Sequence, residues 1–556
     1  MNSQARPDAA KPGAPGGAAA PAPRSDTPTF VIHWLMVLGL LASLATGLRI
    51  AASDNRLSWR WVEPLLLQGD VGRWHIWSAG LLLSAACAYL VLLWRGALGG
   101  RLKLLPASLH SPDAEVRRRG WNRLIYWVSF ALLGTAGLTG GLMYFAGGLL
   151  PEPTLAQVHQ WAAWGFIAYI GLHVVAQLWL GGLTQLLKIV RPRMAYGAAG
   201  LAALGTAGAT WAVIAGGDHA AVSALHMRQV ATLPVVDGLP DDAAWRDAPV
   251  VTVHTLRGSN FPDGETKVKL RAVRNATEAV FLFEWQDSTR SHKHLPLVKT
   301  DKGWAVKESR YALNDEDNYY EDKFGVMFSR VPHMGGGAVQ LGSHPIAGKP
   351  TQPVGRGYHA TADGSTVDVW HWKSVRSGGI GQIDDNHFGP PLPAEAGKRY
   401  TGGYTQDPKQ SGGFDQNWDK IAGSPYVRPK LLPKDLAALQ ARLGQLDLDP
   451  NTGDTQLLAM NKADTVPYSA ELDTYPVGTV LPSVVLDAPF TGDRGDVAAV
   501  GTWKDGWWHL EARRKLDTQS KFDLPFETGV YLWVSAFDHS QARHTRHAHP
   551  VRLVLD

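Results

Sequence analysis

The sequence predicts a multidomain chain: an α-helical transmembrane bundle of four core helices plus a fifth span, followed by a mostly-β sandwich. Two observations carry this. Five apolar runs of about 20 residues, the length that crosses a bilayer core of about 30 Å, fall near 30–50, 74–94, 121–146, 155–181 and 195–217. From about residue 226 the pattern changes to short alternating runs such as "KVKLRAVRN", "AVFLFEWQD" and "GVYLWVSAFD", set between turn-rich pieces, which is the signature of strands. No internal repeat interrupts this order.

Residues 1–28 are Ala/Pro/Gly-rich, a composition that cannot bury enough apolar surface to order itself. The four-helix core is expected over 29–195, the fifth span and linker over 196–225, and the β domain over 226–556. The first run is read as a span and not as a signal peptide, because it is long, ends on Arg49 and is followed by further spans. Basic loops set the orientation. "RGALGGRLKLLPASLHSPDAEVRRRGWNR" follows the second run and "KIVRPRMAYG" the fourth, while "PEPT" between the third and fourth has no basic residue. The N-terminus is therefore expected in the cytoplasm, and the β domain outside the inner membrane, in the periplasm of a Gram-negative cell.

Composition removes several function classes. The net charge of +4, with no Lys/Arg stripe interleaved with aromatics, gives no footprint for nucleic acid. The single cysteine, Cys87, rules out internal disulfides, Cys-only zinc sites and a C-x-x-C-H haem attachment. The 22 tryptophans suit membrane interfaces and flat cofactor pockets.

Histidines inside the apolar runs carry the chemistry, since imidazole in lipid is costly without a partner. His33 lies near the cytoplasmic end of the first span and His75 at the periplasmic end of the second. His159 and His173 share the fourth span. Fourteen helical residues advance about 21 Å and rotate about 1400°, 40° short of four turns, so these two share a face at different depths. The pairing that follows is His33 with His173 and His75 with His159. Two bis-imidazole pairs suit two haems b, whose low-spin iron takes a nitrogen on each face. Gly39, Gly47, Gly137 and Gly171 would give a flat ring room. A single zinc or copper site cannot use both fourth-span histidines, because its ligands must lie a few Å apart. A proton relay would need carboxylates that the spans almost lack.

"FVIHWLMVLGLLASLATGL" and the two-histidine fourth helix resemble the di-haem cytochrome b subunits of bacterial formate dehydrogenases and nickel-hydrogenases, over about residues 28–195. The resemblance implies the same four ligands and electron exchange with quinone or quinol. No quinone-site residue follows from it.

In the β region, "EDKFGVMFSRVPHM", "VDVWHWKSVRSGGIGQIDDNHFG" and "SAFDHSQARHTRHAHPVRLVLD" read as strands rich in Trp, Met and His. Taken alone, Met327 is more often a core residue than a ligand. The tail histidines His539, His544, His547 and His549 suit a metal, a haem or a solvated edge. "GQIDDNH" is read as a turn in preference to a calcium loop, since its ligand count falls short. Over about 230–556 these motifs together resemble the ethylbenzene dehydrogenase-related haem-binding domain, which includes the γ subunits of periplasmic molybdenum enzymes. The resemblance implies a β-sandwich with one non-covalent haem b. One axial ligand is the Met on the strand after "ED", here Met327. The other comes from the final hairpin, commonly as Lys. This chain has no Lys there; His547 is best placed, with His544 and His549 as alternatives. Membrane-fused relatives carry Cys and Cys-His where this chain has "GGGAVQLGSHPIAG", so an additional haem is not expected, although His344 is present. His371 in "VWHWK" is either a pocket wall or a packed core residue.

The expectation is a membrane-bound cytochrome with two membrane haems b and one outer haem b. It would transfer electrons between the quinone pool and a periplasmic redox protein, a cytochrome c or a molybdoenzyme. A subunit is expected more than a self-contained enzyme. The alternatives are a haem-containing terminal reductase and a membrane-anchored haem or ligand sensor.

Overall fold

The computed structural model describes residues 25–53, 62, 65–67, 71–103, 105–187, 192–193, 197–220, 222–313, 315–332, 359–361, 363–396, 401–444 and 446–556. Residues 1–24 and the segment with His344 lie outside the described residues.

Five long helices come first: α1 (Thr27–Ser53), α2 (Val71–Arg95), α3 (Ala114–Phe145), α4 (Glu152–Leu187) and α5 (Ala198–Ala220). Each is long and apolar enough to cross a membrane. Their outward faces are apolar: Leu38, Trp161, Leu172 and Val175 are all more than half exposed. Lipid tolerates such a surface and water does not. Pro28 sits in the first turn of α1, where its missing N–H is not needed. Helical geometry in α4 breaks at Gly181 and Gly182, whose φ of +58° needs a glycine.

The chain forms two compact units, and α1 to α5 contribute to both. One takes in the chain up to Val37, Ser84–Ala131 and Gly165–Gly208. Its packing centres on Ile32, Ala85, Ala88, Leu92 and Ala203, and small side chains at a helix interface let backbones approach. The Gln177 amide donates to Asn122 Oδ1 at 2.7 Å.

The other unit takes in Leu38–Leu83, Leu132–Trp164 and Ala209–Asp556. Most of it is β. Twelve strands form its main sheet: β1 (Ser223–Gln229), β2 (Val251–Thr255), β3 (Thr266–Arg274), β4 (Glu278–Gln286), β5 (Lys323–Ser329), β6 (Val367–Lys373), β7 (Asp384–Phe388), β8 (Tyr404–Gln406), β9 (Ala498–Lys504), β10 (Trp507–Lys515), β11 (Tyr531–Phe537) and β12 (Val551–Leu555). Their order is β8-β7-β6-β5-β11-β12-β1-β3-β4-β10-β9, with β2 on β3. The expected boundary at 226 falls inside β1, which joins the last strand to an early one by running parallel to both β12 and β3.

The expected sandwich has its two layers, but one curled sheet supplies them. Four strands separate β4 from β5 in the sheet. Nevertheless Phe281, Phe283 and Trp285 of β4 pack ring to ring against Phe324, Phe328, Trp370 and Trp372 of β5 and β6. The accumulated right-handed twist of a long sheet brings its halves face to face. Its ends then meet: Ile383 N–H donates to Val497 O at 3.0 Å and Ala499 N–H to Gly381 O at 2.9 Å. "GQIDDNH", read from sequence as a turn, is instead mostly strand, β7, paired along β6.

Smaller sheets pack around Leu297, Trp304, Trp418 and Met460. "KDLAALQARLGQL" forms α6 (Leu436–Leu443), capped by Asp435, whose Oδ1 accepts from Ala438 N–H at 3.0 Å.

Candidate functional site

α1 and α4 bring His33 and His173 together, with ring centres 6.5 Å apart. α2 and α4 do the same for His75 and His159, at 6.1 Å. A metal–imidazole bond of about 2 Å, with the ring centre about 1 Å beyond the nitrogen, sets two imidazoles on opposite faces of one metal about 6 Å apart, centre to centre. Both pairs have that spacing, so the residues fit a bis-imidazole haem.

The hydrogen bonds behind the rings fix the tautomer of one pair. Thr46 Oγ1 donates to Ala42 O at 2.7 Å, so it presents a lone pair to His75 Nδ1, 2.9 Å away. Thr139 Oγ1 likewise donates to Thr135 O at 2.7 Å and faces His159 Nδ1 at 3.1 Å; Ala136 O lies 3.1 Å from the same nitrogen. Both Nδ1 atoms therefore carry the proton, and both Nε2 lone pairs are left for a metal. Each threonine precedes a glycine that makes room for the ring. A Cβ on Gly47 would lie 3.2 Å from His75 Cε1, and one on Gly140 3.2 Å from His159 Cε1. The two Thr-Gly dipeptides, in "LATGL" and "GLTGG", were a readable signal that the histidine spacing alone did not use. Gly137 and Gly171 face open space, while Gly39 packs on Leu82 and Ser78. In the other pair, His173 Nδ1 lies 3.4 Å from Tyr169 OH, and His33 Nδ1 is buried without a partner.

In the β domain the acidic pair before Met327 fastens its strand. Glu321 pairs with Arg376 and accepts from Val375 N–H at 2.6 Å. Asp322 accepts from Ser291 N–H at 2.6 Å and His539 N–H at 2.9 Å. Along β5, Phe324, Val326 and Phe328 point into the core. Gly325 and Met327 face the other way, opposite Ser535 and Trp533 on β11 and His371 and Val369 on β6. Met327 packs against Val367, Val369 and Phe388. Gly325 and Ser535 make a small-residue floor, since a Cβ on Gly325 would come within 2.8 Å of Ser535 Oγ. Beyond the floor, Phe537 stacks on His371 at 5.4 Å and meets His544 at 4.9 Å. His359 lies tilted against Phe388, with ring centres 5.7 Å apart.

The tail histidines divide by what their nitrogens do. His547 Nε2 accepts from Val534 N–H at 2.9 Å and its Nδ1 faces His549 O at 2.7 Å. Both nitrogens are taken up by backbone, so His547, the expected ligand, has no lone pair to offer and instead locks the hairpin. His549 Nε2 donates to Tyr144 O of α3 at 3.0 Å. His544 has only Nδ1 engaged, by Thr545 O at 2.7 Å, which leaves Nε2 as a lone pair. Burial pushes its pKa down to about 4, with His359 nearby adding to the effect. It is neutral, as a ligand must be. Met327 and His544 each offer a donor atom beside the small-residue floor at Gly325, one a sulfur and the other a nitrogen. His371 shares this face with its Nε2 buried and unpartnered.

The β domain grips the turn between α3 and α4. Glu152 N–H donates to Glu265 Oε1 at 2.7 Å, and Arg257 Nε donates to Glu152 Oε1 at 2.9 Å. His254 Nε2 lies 2.9 Å from Glu265 Oε2.

Residues 242–549, more than half of the chain, match the family model described as ethylbenzene dehydrogenase. The chain belongs to the ethylbenzene dehydrogenase family. Residues 24–191 match the model described as prokaryotic cytochrome b561, so this ethylbenzene dehydrogenase-family protein carries a fused cytochrome b module. It is a multi-pass membrane protein whose membrane domain binds haem b and transfers electrons. None of the curated proteins matches it. Among solved structures, a family 9 carbohydrate-binding module from Caldicellulosiruptor kristjanssonii, in complexes with cellotriose and with glucose, aligns at 9% identity and a TM-score of 0.22. The alignments cover 60% of this chain and 94% and 96% of those. At that TM-score the likeness carries no weight for fold or function.

Proposed function

We propose that this chain passes electrons between the quinone pool and a periplasmic redox protein, a cytochrome c or a molybdoenzyme. In this reading it sits in the inner membrane with the N-terminus in the cytoplasm and the β domain in the periplasm. His33 with His173, and His75 with His159, hold two haems b in the membrane; Met327 and His544 hold a third in the β domain. Haem b, when bound, supplies one-electron chemistry without a proton of its own. The side chains do the rest. Thr46 and Thr139 keep the Nε2 lone pairs of His75 and His159 turned inward. Gly47 and Gly140 clear the space beside those rings. The apolar wall of Val367, Val369 and Phe388 keeps water from the Met327 thioether. The Glu152–Arg257 pair and the His549–Tyr144 contact fix the β domain on the helix turn next to His159.

The observation that carries the reading is the pair of facing imidazoles at haem-ligand spacing. The test uses the full-length protein in membranes. A quinol analogue should reduce its b-type absorbance, and an added periplasmic cytochrome c should reoxidise it. A chain with haem that no quinol reduces is not a quinone-linked cytochrome. A protein with haem only in the β domain would be a tethered sensor.

A further inference from the structure

We propose that the β domain holds a calcium-class divalent cation among Asp368, Asp385, Asp407, Asp496 and Asp523, at the seam where the curled sheet meets itself. The strand in "GQIDDNH" supplies Asp385. One oxygen each of Asp368, Asp385 and Asp523 lies within 4.8 Å of the other two. Asp496 comes within hydrogen-bond range of the carboxylates of Asp385 and Asp523, and Asp407 of that of Asp523. Asp368, Asp385, Asp407 and Asp523 are buried and Asp496 is partly so.

Each carboxylate uses one oxygen at most and leaves the other bare. Asp368 Oδ2 takes Arg514 at 2.6 Å, Asp385 Oδ1 takes Asn386 N–H at 2.9 Å, Asp407 Oδ1 takes His387 at 2.5 Å, and Asp523 Oδ2 takes Thr518 at 2.5 Å. The second oxygens, Asp368 Oδ1, Asp385 Oδ2, Asp407 Oδ2 and Asp523 Oδ1, are buried without a partner, as is Asp496 Oδ1. Asp407 is 2% exposed and stands outside the close triad, so its bare oxygen points independently to an occupant. Two carboxylates face each other as acceptors only. Protons or a cation must lie between them. The Arg514 guanidinium pairs with Asp368, and one guanidinium does not balance five carboxylates.

The donor set selects the ion. It is all oxygen, which suits a hard cation and not zinc. Calcium takes oxygens at about 2.3–2.6 Å, so those on opposite sides lie about 5 Å apart, the span seen here. The location gives the ion a task. Asp368 and Asp385 sit on β6 and β7, and Asp407 follows β8, all at one end of the sheet order. Asp496 precedes β9 at the other end. A bound cation ties the two ends together across the Ile383–Val497 hydrogen bond.

The test is independent of haem. Full-length protein, purified in detergent without added metal, is assayed for calcium by elemental analysis and for its thermal midpoint with EGTA, then with calcium chloride. About one calcium per chain is expected, with a midpoint that falls several degrees in EGTA and recovers with calcium. Asp496→Asn and Asp407→Asn, two milder lesions, should each weaken calcium affinity about tenfold or more. Protein without calcium whose midpoint ignores both EGTA and calcium overturns the proposal, and leaves protons as the occupant. So does calcium binding unchanged in both variants.

Discussion

Thr139 Oγ1 stands 3.1 Å behind Nδ1 of His159 and has already given its own proton to Thr135 O. That relationship decides which nitrogen of His159 is free, and Thr46 repeats it behind His75. A hydrogen bond to Nδ1–H makes an imidazole a stronger donor and favours the oxidised iron.

Thr139→Val should therefore raise the midpoint potential of one membrane haem without changing haem content. A hydrogen bond of about 1 kcal/mol corresponds to about 40 mV for one electron. Redox titration of the b-type absorbance reads this directly. Serine at 139 keeps the acceptor and should restore the potential. An unshifted titration in the valine variant means that the threonine only packs.

His544 and His547 lie three residues apart and should behave differently. His544→Ala removes the ring nitrogen that this reading gives to the haem, and should cost the β-domain haem while both membrane haems stay. His547→Ala should keep that haem but lower the thermal midpoint, since it strands the buried Val534 N–H at a cost of about 1–3 kcal/mol. Haem loss in the His547 variant alone would reverse the assignment.

The pH dependence of the β domain has a defined sign. Burial holds His292 at a pKa of about 3 and His547 at about 4. Both are below the unfolded value of about 6.5, so the unfolded chain takes up protons that the folded chain refuses. Their contribution to stability is full above pH 6.5 and is lost as pH falls toward 4, at up to about 1.4 kcal/mol per pH unit for each. His292 packs edge-on against Trp508 at 5.6 Å, a contact that His292→Phe preserves. The thermal midpoint of that variant should fall less than that of the native protein between pH 6.5 and 4.5. Parallel curves would show that His292 titrates normally.

The fold was legible where one physical rule dominates. Bilayer thickness sets the lengths of α1 to α5, alternation marks β3, and a short apolar run marks β4. It was less legible where distant strands decide the outcome. The expected sandwich implies two sheets, yet Phe281 and Trp370, whose rings meet across the core, belong to one sheet that curls on itself. "GQIDDNH" has the composition of a turn, and pairing with β6 draws Asp384–Phe388 into a strand. The membrane pairs could be read from depth and helix phase. His547 and His544 could not be told apart, because the difference lies in which backbone groups reach each ring. Val534 N–H claims one nitrogen of His547 from another strand, and no spacing within "RHTRHAHP" shows that.

The central claim is that two facing histidine pairs each hold a haem, and haem content in the full-length protein tests it most directly. The native chain should carry about three haems b, and His159→Ala and His173→Ala about two each, with different haems lost. Reduced-minus-oxidised spectra combined with redox titration separate the two losses. The account predicts that His159→Ala removes the component whose potential responds to Thr139→Val, while His173→Ala leaves that component in place. Unchanged haem content in His159→Ala, or loss of the same component in both variants, would contradict it.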